Sequence, residues 1–407
     1  MPESVEKNGM EADEIGKDGR AGKGEPKDDA GKRRLRAGIV GGGAGAFIGA
    51  VHRIACELDG QALVVAGAMS SDPKRARESA GAWFLERSYD SYPEMAEAEA
   101  KHPQGIDFVI IATPNNLHFP VAKAFLEAGI HVVCDKPMTF DLEEARELVG
   151  IVEKSKLLFA LTHPCNGYPA VQQARDMVAN GELGEIRKVQ VEYNQDWLLE
   201  PVAKTSLKQA GWRTDPARAG VSCCVGDIGT HGENLLEHIT GLKIESLCAD
   251  LTSFAPGRKL DDDASMLLRL EKGAKGYLTC SQIACGEENN LNIRVYGTKA
   301  AIEWHQQDPN YLIIKPRGKA WETWGRGGGY MGEGAKAITR TPHGHPEGYL
   351  EAFATLYKLI LSDLRRIRSG QAPRGGYPTV RDGLRGMQFV VKAVESSKRG
   401  SVWVDMA

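Results

Sequence analysis

The feature that most constrains this chain is a glycine-dense turn between an apolar run and a segment with helical spacing. Ala37-Gly38-Ile39-Val40 leads into Gly41-Gly42-Gly43-Ala44-Gly45-Ala46-Phe47-Ile48-Gly49. An apolar run of this kind that meets glycines reads as a buried parallel strand entering a tight turn. Phe47, Ile48, Val51, Ile54 and Ala55 then recur at helical spacing. Strand, glycine turn and helix together form the unit in which a dinucleotide's diphosphate rests on a helix N-terminus. Free N–H groups and the helix dipole face the anion there, and glycines let the backbone come close. Gly41 and Gly43 occupy the first two glycine positions. The third falls on Ala46 by strict spacing, or on Gly49 after a longer turn. On this reading Gly41, Gly43, Gly45, Ala46, Phe47 and Ile48 meet the cofactor.

A chain of 407 residues is long enough for two domains and a large core. Its net charge of −3, with no basic patch interleaved with aromatics, gives no reason to expect nucleic acid. No apolar segment is long enough to span a bilayer. The eight cysteines show no Cys-x-x-Cys and no paired Cys/His spacing, so they read as reduced thiols, and no metal is expected. His343-Gly344-His345 lacks a matching carboxylate or cysteine and is not read as a metal site. Arg33-Arg34 before an apolar run has the form of a twin-arginine export signal, but cleavage would remove the first strand and glycine turn. The expectation is a cytoplasmic protein. Residues 1–33 are charged and almost without apolar side chains, and read as a disordered tail.

Residues 62–68 form a second buried strand ending in Met69-Ser70-Ser71-Asp72-Pro73-Lys74-Arg75. An NAD site usually places an acid at such a strand end to hold the adenosine ribose. Here Ser70 and Ser71 stand in that place and Lys74 follows, which suits a 2′-phosphate; alternatively, Asp72 caps the next helix. NAD and NADP both stay open. Strands follow at 106–112, leading to Thr113-Pro114-Asn115-Asn116-Leu117-His118, at 130–134, leading to Asp135-Lys136-Pro137, and at 157–161. Strands alternating with helices at this rhythm predict an α/β fold built on a Rossmann-type, doubly wound parallel sheet. Ligands sit beyond the carboxyl ends of such strands, where Thr113 and Lys136 fall.

Past residue 165 the rhythm changes. Strand-like runs at 186–193, 244–254, 264–270, 276–283, 291–296 and 301–304 predict a large open, mostly antiparallel sheet, with helices on one face at 347–369 and 380–396. The expected division is a tail over 1–33, a dinucleotide-binding domain over 34–165, and a substrate-binding and oligomerisation domain over 166–407. The sheet's other face is expected to be apolar and to form a homodimer or homotetramer.

Chemistry concentrates in two places. Lys136 aims an ammonium into the crevice at a strand end, with Pro137 fixing the backbone as it leaves the sheet. Gly226-Asp227-Ile228-Gly229-Thr230-His231 opens a helix on which Asp227 and His231, four apart, share one face. A carboxylate beside an imidazole can orient it and raise its basicity, which suits a general base. Asp227 as an N-cap and His231 as a plain helix histidine is the structural alternative. Glu237 and His238, further along, are expected at the solvated surface.

Together these residues resemble the Gfo/Idh/MocA family, the glucose-fructose oxidoreductase and inositol dehydrogenase group. The resemblance rests on the glycine turn, on 112–118, on Gly129-Ile130-His131-Val132-Val133-Cys134-Asp135-Lys136-Pro137 and on 226–231, and covers nearly everything from Arg34 onward. It implies a Rossmann domain binding NAD or NADP and oxidation of a sugar or cyclitol hydroxyl. It implies that His231 takes the hydroxyl proton, that Asp227 orients His231 or holds a neighbouring hydroxyl, and that Lys136 binds the reacting oxygen. Thr113, Pro114, Asn115, His118, Asp135, Lys136 and Pro137 would line the cofactor. Gln195, Trp197, Trp212 and Arg213 would bring polar and aromatic groups to the substrate. His163-Pro164-Cys165-Asn166 falls where the family has an asparagine and an aromatic residue near the nicotinamide; His163 is carried over as a substrate contact. A redox-assisted glycoside hydrolase or lyase that retains its cofactor is the alternative function, and a non-enzymatic dinucleotide sensor a further one.

Overall fold

The structure, a computed structural model, describes residues 33–200 and 208–406. The expected tail, apart from Arg33, lies outside the described residues. Met1–Arg34 is a unit of its own, and Leu35–Ala407 forms the second unit, which contains both sheets. Among the described residues no helix is long and apolar enough to cross a membrane.

Six strands, β1 (Leu35–Gly41), β2 (Ala62–Ala68), β3 (Arg87–Ser88), β4 (Phe108–Ala112), β5 (His131–Asp135) and β6 (Phe159–Thr162), form a sheet in the order β3-β2-β1-β4-β5-β6. Every pairing in it is parallel, as expected of apolar strands covered on both faces. The strand order reverses between β1 and β4, and at such a switch point a crevice opens beyond the strand ends. Register decides what reaches that crevice. Gly41 pairs with Ala112, Ile111 with Cys134, and Asp135 with Thr162. The glycine turn, Thr113, Lys136 and His163 therefore leave the sheet side by side.

The second sheet runs β14-β13-β12-β11-β7-β10-β9-β8-β15. Its strands are β7 (Ile186–Asn194), β8 (Ile244–Thr252), β9 (Asp263–Leu270), β10 (Lys275–Ser281), β11 (Asn290–Gly297), β12 (Ala300–His305), β13 (Tyr311–Pro316), β14 (Glu322–Gly325) and β15 (Val404–Asp405). Only the β7–β10 pair is parallel. β13, β14 and β15 were not anticipated from sequence; β14 and β15 are short edge strands whose alternation is too brief to register.

Helices Pro169–Ala179, Thr230–Thr240 and Val380–Lys398 pack on one face of this sheet through Val171, Leu235, Leu236, Phe389 and Val390. The other face differs from the expectation of an apolar surface. It carries Glu192, Arg294, Glu303 and Lys315 in ion pairs, with Leu267 and Tyr311 as exposed apolar groups. Alternating strand positions put charge outward because cross-strand ion pairs can be satisfied in water.

Helix Tyr349–Arg368 follows residue 165 in the chain yet packs on the first sheet. Its Phe353, Leu356, Tyr357, Ile360 and Leu364 join Leu35, Ile39, Phe108 and Ile110 in one core. Burying each large apolar side chain is worth about 1.5–3 kcal/mol.

Candidate active site

The glycine turn is shaped by close approach. Gly41 and Gly42 have φ of +79° and +68°, a region that side chains other than glycine rarely adopt. A Cβ on Gly49 would lie 2.3 Å from the Gly42 carbonyl oxygen. Gly49 therefore fills the role of third glycine, letting the helix lie against the turn. The helix begins at Phe47, and its N-cap, Ala46, offers no side chain to its first amides, which leaves them as orphan donors. Gly45 has open space where a Cβ would be, and Thr113 Oγ1 is buried without a hydrogen-bond partner among the described residues. An uncapped helix N-terminus beside a bare backbone and an orphaned hydroxyl fits a dinucleotide diphosphate. Phe47 is exposed, while Ile48 packs into the core.

At the end of β2, Asp72 accepts hydrogen bonds from the amides of Lys74 and Arg75 at 2.8 and 3.1 Å. It is the N-cap of helix Pro73–Ala82. Ser71 and Lys74 are exposed, and Ser70 Oγ accepts from the Asp72 amide.

Three expected cofactor contacts are engaged elsewhere. His118 is buried, with Nδ1 2.6 Å from the Pro137 carbonyl and Nε2 2.9 Å from the Thr113 carbonyl. It braces the loops after β4 and β5 against each other. Asp135 turns inward, accepting from Thr162 Oγ1 at 3.0 Å, with His52 Nε2 at 3.9 Å. Burial raises its carboxyl, but the His52 contact and the Lys136 charge more than offset this and hold it well below the usual carboxylate range. Asn115 donates to the Ala219 carbonyl at 3.3 Å, tying the loop after β4 to the segment before residue 222. Pro114 lies between Thr113 and this contact.

The Lys136–Pro137 peptide is cis. Lys136 Nζ donates to Asp227 Oδ1 at 2.7 Å and also to the Asp227 carbonyl. The same carboxylate takes the Arg213 guanidinium at 3.2 Å and the Gln282 amide at 2.9 Å. Burial pushes the Asp227 carboxyl up, but Arg213 and Lys136 outweigh it and leave it well below the ordinary range. Arg213 lies over Trp212 at 4.6 Å and near Trp197 at 6.0 Å. Gln195 accepts from Trp197 Nε1 at 2.8 Å and donates to Asn289 at 2.7 Å, so its amide holds the indole in place.

The backbone around Asp227 differs from the regular helix expected. The Thr230 amide reaches back to the Val225 carbonyl, so 225–229 is a π turn. Buried Asp261 sets up this turn by accepting from Cys223 N, Val225 N and Ser222 Oγ, each at 2.9 Å. Helix Thr230–Thr240 then lies close on the second sheet, since a Cβ on Gly232 would come 2.9 Å from Leu278. Asp227 still shares a side with His231, but no hydrogen bond joins them among the described residues. His231 Nδ1 instead sits 3.3 Å from Nδ1 of His163. Burial first, then the Lys136 charge, holds His231 well below the usual imidazole range, so it is neutral at neutral pH. Burial and Lys136 bring His163 down to about 3. His163 thus meets His231 rather than open cleft.

The structure therefore gathers Lys136, Asp227, His231, His163, Arg213, Trp197 and Trp212 at one end. The glycine turn and Thr113 face the same strand edge, with Ser70, Ser71 and Lys74 beyond them. Asp261 and Gln282 were missed from sequence. Asp261 opens an acidic run, Asp261-Asp262-Asp263, at the start of β9, and that run was the available signal; Gln282 carries none. Glu237 and His238 are also corrected. Glu237 is buried, accepting from Lys243 Nζ, the Ile244 amide and Arg385, and His238 Nε2 is buried. The helix leans on the chain there, and the i, i+4 spacing from sequence gives no hint of it.

Residues 35–163 match the model of the oxidoreductase family with an NAD-binding Rossmann fold, and residues 171–303 match the GFO/IDH/MocA C-terminal domain. An oxidoreductase of Bacillus subtilis (strain 168), YfiI, is 34% identical over 379 residues, 91% of this chain and 96% of that protein. The chain belongs to the Gfo/Idh/MocA oxidoreductase family. It is a nicotinamide-dependent oxidoreductase with an NAD-binding Rossmann domain. Among solved members, an inositol dehydrogenase homolog of Azotobacter vinelandii, complexed with NAD+, is similar with a TM-score of 0.87 and 37% identity, covering 91% of this chain and 97% of that one. A levoglucosan dehydrogenase, in complex with NADH and levoglucosan, is similar with a TM-score of 0.79 and 25% identity, covering 92% of this chain and all of that one.

Proposed function

We propose that this family member oxidises a secondary hydroxyl of a cyclitol, sugar or glycoside. The observation that carries the reading is the meeting of a strand-end ammonium, a charged carboxylate and a neutral imidazole beyond the switch point of an NAD-binding sheet. Bound nicotinamide supplies the hydride acceptor. Lys136 places a positive charge where the hydroxyl oxygen gains negative charge, which lowers the cost of that charge in a site with little water. His231 holds an unprotonated nitrogen to receive the hydroxyl proton, and burial beside Lys136 keeps it unprotonated at neutral pH. Asp227 anchors Lys136 and Arg213, so both cations stay on the substrate side. Trp197 and Trp212 offer flat apolar faces of the kind that sugar rings stack on. Relatives solved with myo-inositol and with levoglucosan support the substrate class.

The test is reduced-nicotinamide absorbance with NAD+ or NADP+ and a panel of inositols, aldoses and anhydrosugars. Turnover lost in Lys136→Ala and His231→Ala supports the reading. Release of free sugar from glycosides without accumulated reduced cofactor would favour a redox-assisted hydrolase instead.

A further inference from the structure

His231 can accept a proton on Nε2 only in one of its two neutral forms. A neutral imidazole carries its hydrogen on one nitrogen, and the partner of that nitrogen decides which one. In this chain the partner is a second imidazole. The Nδ1 atoms of His163 and His231 are 3.3 Å apart, with the rings at 86° to each other. Two nitrogens facing at that distance share one hydrogen, because two lone pairs or two N–H groups would repel.

The contact is built in. The turn Pro164–Gly167 that follows His163 is pressed against helix Tyr349–Arg368, where a Cβ on Gly167 would meet the Ala352 carbonyl oxygen at 2.0 Å. One turn further along both segments, Asn166 donates to Asn234 Oδ1 at 2.9 Å. These two contacts, three residues apart on each side, hold the turn and helix Thr230–Thr240 in register.

If His163 donated the shared hydrogen, His231 would carry its own on Nε2 and could not act as a base. If His231 donates, its Nε2 is a bare lone pair, and no described residue hydrogen-bonds that atom. A proton acceptor at His231 requires the second arrangement, which leaves its unbonded Nε2 as the free nitrogen. Lys136, Asp227 and Asp135 surround His231, with the Tyr193 ring packed at 6.2 Å. His163 in turn faces Lys136, Asp382 and Asp135, with His238 beyond.

We propose that His163 is a positioning residue that accepts a hydrogen bond from Nδ1–H of His231, fixing the tautomer whose Nε2 takes the substrate proton. The inference rests on the dehydrogenase reading for its use, though not for its geometry. When His231 Nε2 gains a proton, the donor becomes charged and the bond to His163 strengthens, so His163 steadies the imidazolium as it forms.

The test uses the full-length protein with 15N-labelled histidine. The His231 resonances are assigned by their loss in His231→Gln, and NMR long-range correlations read the tautomer. The expected result is hydrogen on Nδ1 in the parent protein and loss of that preference in His163→Leu. In the same variant kcat falls about 10- to 100-fold, the scale of a misplaced catalytic group, with little change in KM. The acid limb of the kcat profile moves to lower pH, because the imidazolium loses the acceptor that steadies it. His163→Gln, which keeps an acceptor, restores the tautomer and most of kcat. Hydrogen found on Nε2 in the parent protein overturns the proposal, as does a His163→Leu protein with unchanged tautomer and pH profile. If His163→Leu fails to fold, the parent protein and His163→Gln still decide. If no hydroxyl substrate turns over, the dehydrogenase reading fails, while the tautomer assignment still confirms or overturns the role of His163.

Discussion

The two ends of the proposed site are made by opposite means. At the glycine end the chain withdraws side chains: Gly41, Gly42 and Gly49 bring backbone against backbone, and an uncapped helix offers its amides. At the other end it crowds side chains, with Lys136, Arg213 and Gln282 converging on the single carboxylate of Asp227. Polar backbone suits a phosphate group common to every dinucleotide. Placed side chains suit a reaction whose charge must be met at particular atoms. The first end should fail when atoms are added, and the second when they are removed.

The largest effect belongs to the second end. His231→Ala is expected to lower kcat by about 10²–10⁴-fold, the range for a lost general base, while NAD+ binding measured by fluorescence titration stays within a few-fold. Adding atoms at the first end should invert this pattern. Gly49→Val forces the helix away from Gly42 at an overpacking cost of about 1–3 kcal/mol. The expected result is weaker NAD+ binding by roughly 10- to 100-fold, equivalent to that energy. Arg213→Ala removes one of three ligands of Asp227, and is expected to raise the substrate KM by about tenfold, the size of a lost charge-assisted bond. Combined with Gly49→Val, its effect should be additive, since the two ends share no partner.

A pH test separates the groups of the second end. Burial and Lys136 hold folded His163 at about 3, whereas an unfolded imidazole titrates near about 6.5. Below about pH 6.5 the unfolded chain binds protons that the folded chain refuses, so stability falls as pH drops from about 6.5 toward 3. Asp227 acts in a lower window: its folded carboxyl is depressed, so its contribution is complete above about pH 4 and lost only below it. Melting temperature should therefore decrease between pH 7 and 5, and less steeply in His163→Gln. The smallest effect is at the end of β2. Asp72→Ala should cost about 1 kcal/mol as a lost N-cap, read by denaturant unfolding, and leave NAD+ affinity nearly unchanged.

The same contrast governs what could be read from sequence. The glycine turn, β1, β2, β4 and β5, and the exit of Lys136 from the sheet are local patterns, and local patterns survive in the order of residues. The Asp227 cluster depends on groups brought together from distant segments: Arg213 from a short helix, Gln282 from beyond β10, and Asp261 clasping the amides of 223 and 225. The π turn exists because of that clasp, so four-residue spacing alone suggested an Asp227–His231 pairing that the fold replaces with His163–His231. Glu237 was misplaced for the same reason: Arg385 lies 148 residues away in sequence.

The most direct test of the central claim is the fate of a deuterium at the carbon that bears the reacting hydroxyl. A cyclitol or sugar turned over by this chain, so labelled, should transfer the deuterium to the reduced cofactor with a primary isotope effect on kcat, and His231→Ala should slow the transfer by the same roughly 10²–10⁴-fold. Product that forms with the deuterium kept on, or returned to, the sugar, and with no labelled reduced cofactor released, would contradict the claim.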